Sequence, residues 1–366
     1  MTTKFFKKEE VLNARNTNIL DYLIGKGEPF IKQGKYFRHG EHSSWVYDSR
    51  KNVLYFNKDS DELATNSCIN AAMKVYGFSF LEAVGNILGS EAQILTEKDF
   101  QYEPPPRLDY QKDIQESLTF KNAYDYLTNE REIDSDIVDS FHKLNLIAED
   151  TRQNVIFKTI NRDTCQPIDV VGVELRGTRK IPEEKRLFKD RSYYLFQHPG
   201  NDPTQLFFTT LTRKVPTKEI KVFEAPIEIM SYLSIHKQEY LQEGNPSYNT
   251  EFCSMGGLKH TPVEQYFRKV VEDNRSSFDH PVIPEITLCV NRDEAGIEFI
   301  DRFKKYLHEK GYSDHFIEQK IQIELPVSEV DRTKDFDFND QLKECNWLKT
   351  QVKRTERVLL NGNDIY

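Results

Sequence analysis

The chain has 366 residues, 59 acidic and 50 basic, for a net charge of −9, with 30% of residues charged and 38% hydrophobic. Two or three domains with real cores fit this length, and the acidic balance excludes a general nucleic-acid coat protein while leaving room for a local basic groove. Five cysteines, an odd number without a CxxC pair, exclude a disulfide framework and a thiolate zinc site and point to a reduced, intracellular protein.

The N-terminal stretch has no continuous apolar segment followed by a small-residue cleavage site, and no apolar run reaches the ~18 residues that span a bilayer. The expected location is therefore the cytoplasm, away from membranes. "KEEVLNARNTNILDYLIGKG" reads as an amphipathic helix pair closed by Gly25 and Gly27. Short β-like runs follow in "PFIKQGKYFRHG", "SSWVYDSR" and "NVLYFN", then a helix, a break at Gly77 and a second helix. Residues 1–90 thus predict a small α+β module. Pro104, Pro105 and Pro106 favour extended polyproline II, so residues 91–116 are expected to be a linker.

Within 117–215, two helices lead into a hairpin, "LIAEDTRQNVIFK", a pattern that suits a winged-helix-like unit or any small α+β spacer. The strands "DVVGVELRGT" and "QLFFTT" are expected to join the edge of the following sheet. Residues 216–345 alternate strand and helix: "EIKVFEAP", "IEIMSYLSIHKQEYL", "TEFCSMGG", "TPVEQYFRKVVEDN", "EITLCVNRD", "AGIEFIDRFKKYLHEKG" and "KIQIELPV". This alternation predicts a parallel sheet with crossover helices. Residues 346–366 are read as a tail.

Open α/β sheets bind ligands at the carboxyl ends of their strands. Those ends carry Glu224, then Ser254-Met255-Gly256-Gly257, then Asn291-Arg292-Asp293, and finally an acidic stretch with Asp331, Asp335, Asp337 and Asp340. Carboxylates and a carboxamide gathered there would make a hard, oxygen-rich site for Mg²⁺ or Mn²⁺, of use in phosphoryl transfer. The alternative for the knot at 291–294 is a solvated turn. Glu228, one turn into the next helix, either supports the site or faces solvent. Glu294 is a helix N-terminal charge favoured by the dipole, and Gly256 and Gly257 let the backbone turn tightly or belong to a plain loop.

A Glu at the first strand end, a small-Gly-Gly turn after the second and a D-x-D-x-A-G pattern after the third resemble the Toprim fold of primases, topoisomerases and related nucleases. "VGVELRGT", "KVFEAPIEIMSYLS", "LCVNRDEAGIEFI" and "DFNDQL" are similar to the primase-type Toprim proteins of plasmids and conjugative elements. "VLNARNTNILDYL", "GKYFRHGEHSSWVYD" and "NAAMKVYGFSFLEAV" resemble the primase zinc-ribbon domain. The resemblance covers Val11 to Leu342. It implies an α/β Toprim domain, a parallel sheet with flanking helices, preceded by zinc-ribbon-like and helical/hairpin modules.

By the same resemblance, Glu224 is the catalytic acid or base, and Asp293, Asn291 and Asp335 hold Mg²⁺ or Mn²⁺. Lys35, Arg38, His42, Arg176 and Lys189 face DNA or RNA. A replication or conjugation protein is a further expected partner. Two departures stand out. Asn291 occupies the place of the first aspartate, and His39 and His42 replace the Cys-x-x-His of the ribbon, whose following cysteine pair is absent; zinc is therefore not expected. The basic and aromatic residues of "KQGKYFRHGEHSSWVYDSRK" suit phosphate contacts and base stacking, or an ordinary β-module with Tyr36, Phe37, Trp45 and Tyr47 partly in its core. The activity implied is primer synthesis or phosphodiester cleavage; the alternative is a catalytically degenerate protein that binds nucleic acid or a protein partner.

Overall fold

The computed structural model of the protein describes residues 6–56, 64–95, 106–186, 192–210, 215–240, 249–280, 282–331 and 335–362. The chain divides into two compact units, residues 1–105 with 180–193, and residues 106–179 with 194–366. Among the described residues no helix is long and apolar enough to cross a membrane.

In the first unit, α1 (Lys8–Arg15) and α2 (Ile19–Gly25) precede a meander of β1 (Phe30–Gln33), β2 (Tyr36–His39), β3 (Trp45–Asp48), β4 (Val53–Phe56) and β5 (Ala64–Thr65), each strand antiparallel to the next. The pair α3 (Cys68–Tyr76) and α4 (Phe80–Leu88) turns at Gly77, and Ser79 and Glu82 close a capping box at the start of α4. The core is built from one face of each element: Ile19, Tyr22 and Leu23 of α2, Tyr47 and Leu54 of the sheet, and Ala72, Val84 and Ile87 of the second helix pair. The helix pairs and short strands expected for this module are all present.

The second unit opens with α5 (Tyr110–Asp113), α6 (Lys121–Asp125) continued by a π-helical turn at Tyr126–Glu130, and α7 (Ser135–Lys143). Next comes a sheet in the order β6 (Ile147–Glu149), β7 (Val155–Ile160), β8 (Val170–Lys180), β9 (Tyr193–Gln197). The expected hairpin is β6–β7. The expectation for "DVVGVELRGT" needs correction: as β8 it pairs antiparallel with β7, because its long alternating run finds its hydrogen-bond partners in that hairpin.

The other sheet runs in the order β10 (Phe207–Thr210), β12 (Thr250–Ser254), β11 (Glu219–Phe223), β13 (Glu285–Cys289), β14 (Ile321–Ile323). Strands β12, β11, β13 and β14 are parallel, and β10 closes one edge antiparallel to β12, as expected for "QLFFTT". Crossovers are α8 (Pro226–Ile235) with α9 (Lys237–Tyr240), α10 (His260–Ser277), and α11 (Glu294–Glu309) with α12 (Asp314–Lys320). Central strands β11, β12 and β13 are almost wholly buried, as strands of a parallel sheet covered on both faces are, and their buried charges Lys221 and Glu251 are paired with Glu324 and Arg162. A last helix, α13 (Phe338–Gly362), packs on α8 and runs without a break across residues 345 and 346, where a tail was read.

Candidate functional site

Register places the site. Phe223 pairs with both Ser254 and Cys289, so the ends of β11, β12 and β13 lie level. Glu224, the Met255-Gly256-Gly257 turn and Asn291 therefore emerge side by side. The Glu224 backbone is held from two directions: its carbonyl accepts from the Gly257 amide at 2.9 Å and the Ser254 hydroxyl at 3.2 Å, and its amide donates to Glu228 Oε2 at 3.2 Å. Its carboxylate Oε1 accepts the Asn291 amide at 3.0 Å. Gly256 and Gly257 have φ of +61° and +96°, a left-handed turn that favours glycine.

Asp293 caps α11, its Oδ1 accepting from the Gly296 amide at 2.7 Å. Gly296 lets the helix start directly against the strand end, since a Cβ there would collide with the Asn291 backbone oxygen. The Asn291 side-chain oxygen is buried and has no hydrogen-bond partner. Arg292 and Phe336 exchange backbone bonds of 2.9 and 3.2 Å, and the Arg292 guanidinium lies 5.3 Å from the Phe336 ring centre. This bridge pins the acidic stretch beside the knot at 291–293. Beneath it Phe338 packs edge-on against Phe223 and Tyr232, with centroids 5.3 and 5.5 Å away.

Negative charge is crowded here. Burial, then the charges of Asp293 and Asp337, push Glu224 up to about 7, against the stabilising Asn291 amide. Glu228 is buried and is raised well above the carboxylate range by burial, then by Glu224 and Asp337, with Arg176 opposing. Burial first, and then Asp340, raise Asp337. Among the described residues no three His, Cys, Asp or Glu side chains are grouped as a metal site requires. The donor set at the strand ends is instead two carboxylates, Glu224 and Asp293, with the orphaned amide oxygen of Asn291. A hard divalent cation fits that set: it would satisfy the orphaned oxygen and offset the negative charge gathered at the strand ends.

The remaining expected site residues are dispersed. Asp335 is exposed, whereas Asp337 faces the cluster electrostatically while its Oδ1 accepts the Asp340 amide at 2.7 Å. Arg176 on β8 contacts Glu174 at 3.3 Å. Gln197 connects Glu174 (3.1 Å), the Gly256 carbonyl (2.9 Å) and Lys259 (3.2 Å), so β9 reaches the glycine turn. Lys189 lies outside the described residues. In the first unit, Lys35 sits over the Tyr36 ring at 5.1 Å, and its pKa is lowered by burial and then by the nearby positive charges of Arg50 and Lys51. Arg38 donates to the Ser43 carbonyl. His42 is exposed and clusters with the rings of His39 and Trp45, at 5.0 and 4.8 Å.

His39 is buried and committed to the module. Its Nε2 bonds Glu28 at 2.8 Å, and its Nδ1 accepts the Glu41 and His42 amides at 3.1 and 2.9 Å. Both ring nitrogens are thereby used within the protein, which leaves no lone pair for a metal.

The residues sequence reasoning under-read are Glu228 and Asp337. A signal for Glu228 existed: α8, "PIEIMSYLSI", is apolar on nearly every side and buried from Pro226 to Leu233, so a carboxylate in its first turn has no solvent face to occupy.

Residues 221–337 match the family described as Toprim-like, and residues 125–193 match a family described as a protein of unknown function, DUF3991. The chain is similar to the uncharacterized protein pXO2-78 of Bacillus anthracis, 26% identical over 356 residues that make up 97% of this chain and 94% of the relative. Among solved structures it is similar to the primase fragment of the bacteriophage T7 primase-helicase protein, at 14% identity over 69% of this chain and 82% of that one, with a TM-score of 0.36. A second is the bacteriophage T7 lagging-strand DNA polymerase structure with primase domains bound to an RNA/DNA hybrid and dTTP, at 16% identity over 63% and 88% of the two chains and a TM-score of 0.31.

Proposed function

From the premise that the chain carries a Toprim-like domain at residues 221–337, we propose that it is a primase-like protein of a mobile genetic element. It binds DNA or RNA and transfers phosphoryl groups at the strand-end acid cluster, by primer synthesis or phosphodiester cleavage. The observation that carries this reading is the level ending of β11, β12 and β13, which brings Glu224, the glycine turn and the Asn291–Asp293 segment together; burial and neighbouring charge push Glu224 up to about 7, where a general acid or base works best near neutral pH. Glu224 takes the proton of an attacking hydroxyl or returns one to a leaving oxygen. Asp293 and the Asn291 amide oxygen would hold Mg²⁺ or Mn²⁺. That ion supplies orientation and charge neutralisation for the phosphate oxygens.

Lys35, Arg38, His42 and Arg176 would draw the phosphate backbone, and His42 and Trp45 offer ring faces to unstacked bases. The pXO2 designation of the relative supports the mobile-element setting. Cysteines Cys68, Cys165, Cys253, Cys289 and Cys345 are all free, which suits the cytoplasm.

The test is isothermal titration of Mn²⁺ into wild type, Glu224→Gln and Asn291→Asp, followed by primer-synthesis and nuclease assays. Wild type binds, Asn291→Asp binds about tenfold more tightly through its added charge, and Glu224→Gln loses at least ~100-fold in turnover while keeping nucleic-acid affinity. Full activity in Glu224→Gln would sink the assignment. One observation favours a second reading: the amide at Asn291 weakens the attraction for a cation. Absence of Mn²⁺ uptake by wild type, with uptake restored in Asn291→Asp, would identify a degenerate site kept in a protein that binds nucleic acid or a protein partner.

A further inference from the structure

A groove of about 1190 Å³ runs across the first unit between α2, α4 and the segment after α4. It exceeds the ~300–1,000 Å³ typical of small-molecule sites, and its apolar wall is open to solvent, with Ile24 48% and Leu81 41% exposed. The same helix, α4, leaves Phe80 44% and Leu88 37% exposed. Ile24 and Leu81 thus give the groove an apolar contact surface on both its helices.

Two glycines line the groove, and a side chain at either would point into little or no occupied space. A Cβ at Gly25 would meet nothing within 4 Å, and one at Gly85 would make only an ordinary 3.5 Å contact with Phe6. Gly85 nevertheless sits within α4, where glycine is less favourable than alanine. Among the described residues that line the groove, Asp21, Glu82 and Glu91 outnumber the one cation, Lys26, which bonds Asn86 at 2.5 Å.

We propose that this groove docks one amphipathic helix of a partner protein, with apolar side chains facing Ile24 and Leu81 and basic side chains on its flanks facing Asp21 and Glu91. Charge complementarity selects that occupant over a neutral or acidic one. The proposal goes beyond the reading of the strand-end site and stands independently of it.

The test uses the full chain and a fluorescein-labelled helical peptide of about 14 residues, with leucines at helical spacing on one face and lysines on the flanks, compared with the same peptide carrying glutamates for lysines. Fluorescence anisotropy should show saturable binding of the basic peptide, at least about tenfold tighter than the acidic one. Glu91→Lys, at an exposed position outside the helices, should weaken the basic peptide by about tenfold and favour the acidic one. Gly85→Leu should abolish binding of both while leaving the melting temperature within a few degrees of wild type. Three results would overturn the proposal: equal binding of the two peptides, no binding at about 1 mM, or a concentration-dependent dimer in sedimentation that Gly85→Leu abolishes, which would assign the groove to a second copy. Mn²⁺ titration of the same variants should be unchanged, so failure here is distinct from failure of the strand-end site.

Discussion

Glu224 is a carboxylate that the fold keeps protonated through a pH range in which the unfolded chain would have released its proton. With a folded pKa of about 7 against an ordinary 4.5, the native state binds more protons than the unfolded state between those values. Stability therefore falls as pH rises through that window and is lowest above it. Denaturant titrations from pH 4 to 8 without divalent cations should show a decline of ~2–4 kcal/mol from this group. Glu224→Gln should flatten part of that slope and be the more stable protein at pH 8; an unchanged slope would remove Glu224 as its source. The sequence shows which carboxylates stand at strand ends, because strand–helix alternation and the rule for open sheets suffice. It does not show which are forced to share a small volume. Glu228 becomes a buried neighbour only once α13 covers α8, and Asp337 joins the cluster through a backbone bridge between Arg292 and Phe336 that no spacing encodes.

At the level of elements, the decisive joint is the passage from β13 into α11. Asp293 caps the helix and Gly296 lets its first turn rest on the Asn291 carbonyl, so one short segment both starts a helix and presents an amide oxygen to the site. Gly296→Ala forces that contact apart and should cost ~2–4 kcal/mol in chemical denaturation, with loss of Mn²⁺ uptake because Asn291 is displaced. An unchanged midpoint would show that the joint yields freely. The elements legible in advance are those with strong local signatures: the helix pairs around Gly25 and Gly77, the β6–β7 hairpin, and the buried runs of β11, β12 and β13. Short α12 and strand β9 escaped because their side chains are half exposed and weakly periodic. The pairing of β8 with β7 was misjudged because an apolar run specifies a strand and leaves open which sheet it enters.

On the scale of the whole molecule, the two units have their own cores, and the second owns the entire strand-end site. A fragment of residues 106–366 should therefore melt cooperatively in circular dichroism and take up Mn²⁺ as the full chain does; a molten fragment would show that the first unit is needed to fold the second. The buried network of Arg162 with Glu251 (3.0 Å) and Tyr266 (2.6 Å) joins the loop after β7 to β12 and α10, holding together the two sheets of that unit. Strand order adds a matter of timing. β10 ends at Thr210, and its partner β12 begins only at Thr250, so during synthesis at ~5–20 residues per second the strand waits several seconds for its hydrogen bonds. Phe207 has shelter meanwhile, because its ring meets Phe157 and Phe141 at 6.0 and 6.3 Å, both already made. The antiparallel edge strand thus has an apolar anchorage made wholly from residues that precede it, available before the sheet it will border is complete.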